Sequence, residues 1–136
     1  MSNVYKRFRG ETEIQFIMTA LDLQVEITKY VISRKYIPKA ARLIVGLPLV
    51  EKIDEMVDNI TFANSIYPKT QTELDLRKEY QQKAIINCYQ LQNKIIKIER
   101  CIDTVNIKSL EKIIDLLCKE LPLLKAWKNS NKIKVL

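Results

Sequence analysis

The sequence contains no histidine. That removes the commonest general base, the commonest metal ligand and the usual partner of a nucleophilic serine or cysteine. Its two glycines, Gly10 and Gly46, cannot form a phosphate-cradling loop. With only four prolines besides, the chain lacks the punctuation that many-stranded folds need. Cysteines are scarce too: Cys88, Cys101 and Cys118 are odd in number, far apart and set among apolar residues. They read as reduced, packed thiols of a cytoplasmic protein rather than a disulfide framework. No apolar run approaches the ~18 residues of a membrane span. The opening MSNVYKRFRGETE shows no apolar core of a signal peptide. The expectation is a cytoplasmic non-enzyme without metal, cofactor or membrane partner.

What the chain does have is helix-forming material. Of its 136 residues 47% are apolar, enough for one domain with a core and too many for disorder. Lys, Glu, Ile, Leu and Gln dominate, which favours helix. The spacing of apolar residues predicts an all-α, up-down-up-down four-helix bundle over residues 12–128. A basic segment (1–11) precedes it and a frayed basic tail (129–136) follows.

The first helix is expected from Thr12 to Ser33. Ile14, Met18, Leu21, Val25, Thr28 and Ile32 step by alternating 4 and 3, which reads as the core seam. Phe16, Leu23 and Tyr30 form a second stripe at spacing seven, on the far side. At ~100° per residue roughly 240° of this helix is apolar, more than a bundle edge requires. Phe16, Leu23 and Tyr30 are therefore the expected contact with other copies of the chain.

Residues 33–48 (SRKYIPKAARLIVGLP) read as a break, because Pro38 disfavours helix at Ile37 and Gly46-Leu47-Pro48 fits the start of a helix. The second helix is expected from Leu47 to Ile66, with Val50, Ile53, Val57, Ile60 and Asn64 as its seam. Glu51, Asp54, Glu55 and Asp58 mark its solvent side. The third is expected from Thr70 or Thr72 to Asp103, with Tyr80, Ala84, Cys88, Leu91, Ile95, Ile98 and Ile102 as its seam. The fourth, capped by Asn106, runs to Lys128 on Ile107, Leu110, Ile114, Leu117, Leu121 and Leu124. Pro122 is expected to kink it or end it early.

The stretch NKIIKIERCIDT (93–104) shows how charge and core separate. Its isoleucines Ile95, Ile98 and Ile102 belong to the seam, so Lys94, Lys97 and Arg100 are what it offers a partner. In an up-down-up-down course these join Arg34, Lys35, Lys39 and Arg42 at one end of the bundle, with Lys108 and Lys112. Between Ile27 and Val50 five basic residues occur and no acidic one. Lys125 and Lys128 fall at the other end, with Lys6, Arg7, Arg9, Lys132 and Lys134. A net charge of +7 distributed in this way points to nucleic acid held through its phosphates. A membrane-surface helix needs an apolar face that nothing else buries, whereas this one continues a core seam.

Several segments also resemble a known family. PKAARLIVG (38–46) is similar to a loop reading proline, basic, two free positions, basic, apolar, free, apolar, glycine. Pro38, Lys39, Arg42, Leu43, Val45 and Gly46 fit it without a gap. That loop belongs to the four-helix-bundle proteins related to the accessory variability determinant (Avd) of diversity-generating retroelements. The Ala63-Asn64 pair matches the end of the family's second helix. LLCKELPLLKAW (116–127) matches its ending of two leucines, nine variable positions and a tryptophan.

The resemblance spans residues 14–128 and has departures. Lys125-Ala126 stands where the family has Gly-Gly, and of two basic positions expected four apart in the third helix one is Lys97 while the other falls on Asn93. The resemblance implies a homopentameric ring that binds a reverse transcriptase and its template RNA or an RNA–DNA hybrid. A sister branch, encoded within intervening sequences of 23S rRNA genes, is the nearest alternative. A helical protein-interaction module whose charge serves solubility is the other.

Overall fold

The computed structural model describes residues 15–133. Among them are four long helices and no strand: α1 (Gln15–Ile32), α2 (Leu47–Ser65), α3 (Gln71–Cys101) and α4 (Ile107–Asn129). The expected start of the first helix at Thr12, together with Ile14, Lys6, Arg7, Arg9 and Lys134, lies outside the described residues. Each helix packs against two others in the order α1–α2–α3–α4 and back to α1, so α1 and α3 occupy opposite corners.

Local chemistry fixes the helix ends. Thr70 caps α3 with a reciprocal pair: its hydroxyl accepts from the Glu73 N–H, and the Glu73 carboxylate accepts from the Thr70 N–H at 3.0 Å. Asn106 caps α4 by accepting from the Ser109 N–H at 2.9 Å. Pro122 does not end α4, which continues to Asn129. The proline ring is exposed, as are Cys118 and Lys119 one turn earlier, so the carbonyl it leaves unbonded is on the wet side of the helix.

The expected break at 33–48 is only partly a break. After Pro38 the chain makes a helical turn (Lys39–Ala41) and then a π-helical turn (Arg42–Gly46) that runs straight into α2. The Leu47 N–H bonds to the Arg42 carbonyl five residues back, widening the coil just ahead of Pro48, which has no N–H to give. Pro38 sits outside the first turn, where it stops helix before it without preventing helix after it.

The two faces of α1 are the reverse of the expected ones. Leu23, Ile27 and Tyr30 are buried in the core of the single chain, and Phe16 packs against it. Val25 and Ile32 of the expected seam are 44% and 66% exposed. Spacing cannot choose between two apolar stripes; their partners do. Phe16 stacks on Trp127 of α4 with ring centroids 4.1 Å apart. Tyr30 stacks on Tyr36 at 4.4 Å and shares a 2.8 Å hydrogen bond with Ser109. The bulky aromatics thus win the inside, where their area is worth most. Phe16, Leu23 and Tyr30 are accordingly not a free face of the subunit.

On α3 the expected seam is the observed one: Ala84, Cys88, Leu91, Ile95 and Ile98 are buried. Between α2 and α3, the buried Asn59 donates to Asn87 at 2.8 Å. Below it, Arg77 donates to the backbone carbonyls of Ala63 (3.2 Å) and Ile66 (2.7 Å), and its guanidinium lies 5.3 Å from the Trp127 ring. Gln81, fully buried on the same helix, exchanges hydrogen bonds with Asn131 beyond α4.

One polar group in the core lacks such a partner. Glu120 is fully buried, and neither carboxyl oxygen makes a hydrogen bond. Desolvation pushes its carboxyl up to about 9, partly opposed by Lys119. Burial, with Glu120 as a smaller contributor, pushes the Cys88 thiol up to about 12, so both groups are neutral and inert at pH 7.

Two measurements follow from this packing. A Cβ on Gly46 would lie 2.7 Å from Val31 Cγ1 of α1. Gly46→Ala gains about 1 kcal/mol of helix propensity but forces an overlap costing about 1–3 kcal/mol. Urea unfolding should therefore show a net loss, and an unchanged or higher midpoint would refute the close approach. For Glu120, the unfolded carboxyl loses its proton near pH 4.5 while the folded one keeps it to about 9, so its contribution to stability declines as pH rises through that interval. Glu120→Met should be the more stable protein at pH 7. Its advantage should widen between pH 5 and 8 by roughly 1 kcal/mol per pH unit. A pH-independent gap would show that the carboxyl titrates normally.

Candidate nucleic-acid interface

The basic residues predicted from sequence divide into two groups in space. The larger is assembled at the end where α1 finishes, α2 begins, α3 finishes and α4 begins. Arg34 and Lys35 are exposed in the turn after α1; the Lys35 ammonium sits 5.5 Å from the Tyr36 ring, which is itself stacked on Tyr30. The Tyr36 carbonyl accepts a 2.5 Å hydrogen bond from the Thr104 hydroxyl, which ties the α1–α2 connection to the α3–α4 connection. That bond brings Arg100, in the last turn of α3, and Lys108, in the first turn of α4, to the same end.

Lys39 opens the helical turn after Pro38 and is exposed. Arg42 opens the π turn, which packs on both α2 and α3. Its Nε is buried and has no hydrogen-bond partner among the described residues. A guanidinium cannot shed its charge, so its orphaned donor is a standing demand for an acceptor. Lys97 is exposed on α3 and Lys94 half-buried. Glu99 and Asp103 are the carboxylates of the same stretch, fewer than the cations around them.

Lys112 does not join this group in the way expected. Its ammonium is 2.6 Å from Glu26 of α1, and that hydrogen bond and charge raise its pKa. As an exposed pair it contributes little to stability, but it neutralises one cation.

The second group is elsewhere. Lys125 and Lys128 lie along the α3–α4 side: the Lys125 ammonium is 5.5 Å over the Tyr89 ring, and Lys128 donates to Gln82 at 2.6 Å. A single stretch of phosphate backbone along one end of the subunit would not meet both groups.

The basic end also carries what sequence reasoning missed. Leu43 is 75% and Ile44 66% exposed, with Ile32, Leu47 and Ile107 exposed nearby. Of the apolar run LIV only Val45 turns inward. The signal was present in the run itself, because consecutive residues of a helical turn cannot all face one core. Among the described residues no group of three His, Cys, Asp or Glu side chains stands close enough to hold a metal, and no helix is long and apolar enough to cross a membrane. Cys101 and Cys118 are exposed single thiols.

No protein-family model, no curated protein and no solved structure matches the chain. The resemblance to the Avd-related bundles therefore rests on the residues of segments 38–46, 63–64 and 116–127.

The arrangement suits a long polyanion better than a compact ligand. Its cations come from an exposed turn, a π turn and two helix ends, spread over several elements rather than gathered around one point. Replacing Thr104 by Val removes the hydroxyl that ties these connections together. Hydrogen exchange at residues 33–38 and 102–106 should accelerate in that variant while exchange in the middle of α3 stays as in the wild type. Unchanged exchange in both turns would show that the tie does not hold this end together.

Proposed function

We propose that this chain is a non-catalytic accessory protein of a diversity-generating retroelement. In this reading it is an up-down-up-down bundle that assembles into a homopentameric ring and binds nucleic acid, the template RNA or an RNA–DNA hybrid, alongside the reverse transcriptase. The observation that carries the nucleic-acid part is the convergence of Arg34, Lys35, Lys39, Arg42, Arg100 and Lys108 at one end. The element-specific part rests on the resemblance.

The mechanism is electrostatic. The lysines and arginines of the basic end displace into solution the counterions condensed on the phosphate backbone, and a ring of subunits repeats that end around its axis, multiplying a weak contact. Nothing in the arrangement reads base edges: the cations are on turns and helix ends rather than on a helix projecting into a groove. Affinity without sequence preference is the corollary. The exposed Leu43 and Ile44 favour a second reading, in which the same end docks a protein.

Titrating a structured RNA at 50 and 200 mM salt tests the first reading. If a ring engages about 6–10 phosphates, affinity falls by about 10³–10⁵ over that interval. The variant Lys39→Glu/Arg42→Glu/Lys97→Glu/Arg100→Glu should lose RNA binding and keep the wild-type assembly mass. Wild-type affinity in that variant would transfer this end to the protein-docking reading.

A further inference from the structure

The bundle has two opposite sides, α1–α2 and α3–α4. Each leaves apolar residues facing solvent, and the two differ in charge. On the α1–α2 side Leu21 and Val57 are half-buried at the margin of a cleft between the helices, Gln24 of α1 donates to Asp54 of α2 at 2.9 Å, and Val25, 44% exposed, stands at the outer corner of α1, where it also borders α4. The exposed carboxylates Glu51, Asp54 and Asp58 run along this side. On the α3–α4 side Tyr89 and Ile96 are 44% and 52% exposed; Lys125 lies over Tyr89, and Lys128 is bonded to Gln82, about two turns from Tyr89 in the direction away from Ile96.

We propose that the α1–α2 side of one copy docks on the α3–α4 side of the next, with Asp54 and Asp58 facing Lys125 and Lys128, in a head-to-tail contact. This rests on the homo-oligomeric part of the proposed function and names the surfaces that would form it.

A second copy is the occupant that fits both sides at once. The two sides point away from each other, so no rearrangement within one chain covers them. A two-fold dimer would bury one kind of side and leave the other exposed, and it would set like charges together. A head-to-tail contact buries both and pairs acid with base. Along the outer part of α1, Val25 and Ile32 are exposed and Met18, Leu21 and Thr28 half-buried, at the alternating 3 and 4 spacing with which helices receive helices. Neither a lipid surface nor a phosphate backbone calls for that spacing.

Height along the bundle agrees as well. Asn87 of α3 is bonded to Asn59 of α2, and the next residue but one on α3, Tyr89, lies under Lys125 of α4. Asp58 and Lys125 therefore stand at the same level within about one helical turn. Copies related by rotation about an axis along the bundle would bring them side by side without sliding. This removes Lys125 and Lys128 from the nucleic-acid set, in keeping with their separation from the other cations.

Light-scattering mass on the full chain tests the contact with two charge-reversed variants. Asp54→Lys/Asp58→Lys and Lys125→Glu/Lys128→Glu should each fall from the assembly mass to that of one subunit, 15.9 kDa. Circular dichroism checks that each stays helical. Mixed one to one, the two should associate into species heavier than one subunit, because each then offers the other an oppositely charged side; a ring of five cannot alternate two kinds throughout, so dimers and open chains are expected rather than the wild-type mass. An assembled wild type with either variant equally assembled on its own, or a mixture that stays monomeric, would overturn the head-to-tail contact while leaving the oligomer itself standing. A wild type that weighs one subunit at every concentration would overturn both this inference and the oligomeric reading beneath it.

Discussion

The geometry of the basic end depends on one close approach, that of Gly46 to Val31. With no side chain at Gly46, the chain leaving the π turn lies directly on α1, at a distance where a Cβ would already overlap Val31. That contact sets where α2 begins, and hence which residues of the segment before it turn outward. Val45 goes into the core, Leu43 and Ile44 go to solvent, and Arg42 is left with its Nε shut away from water and without an acceptor among the described residues. A single missing methyl group thus connects the packing of the bundle to the chemistry of its end.

Much of this could be read from the sequence, and the places where it could not share a cause. The α3 seam was legible because its two faces differ: Ala84, Cys88, Leu91, Ile95 and Ile98 lie opposite a charged side, so periodicity has one answer. On α1 both faces are apolar. Which one enters the core is decided by Trp127 and Ser109, residues distant in the chain, together with Tyr36 just past the helix, and the pattern of α1 itself does not contain that information. The break before α2 failed for a related reason. Pro38 is read locally as a helix breaker and Gly46 as a helix entry, yet helix resumes directly after the proline, and the glycine lies inside the helical path and is there for the sake of a neighbour. For the charges, chain order and helix count were enough to gather the residues of the α1–α2 connection with Arg100. They were not enough to show that Lys112 is taken by Glu26, or that Lys125 and Lys128 belong to a different side.

The core carries more polarity than its apolar composition suggests. Asn59 with Asn87, and Gln81 with Asn131, satisfy each other, and such pairs specify register because any sliding of α2 along α3 would strand an amide. Glu120 has the opposite character. It costs stability and has no hydrogen-bond partner among the described residues, so their packing supplies no reason for its presence.

Arg77 holds together three parts of the chain, and at the α2–α3 turn it does so through main-chain oxygen atoms. The carbonyls of Ala63 and Ile66 are there whatever residues occupy those positions, so there the guanidinium recognises the path of the backbone, while toward α4 it meets the side chains of Asn131 and Trp127. Its hold on that turn consequently survives a change of side chain there, provided the arginine and the Thr70–Glu73 cap stay. The basic end has no such device. Its shape is written in side-chain detail, in a glycine, a tyrosine and a threonine, and related chains that keep the fold are free to lose that end first.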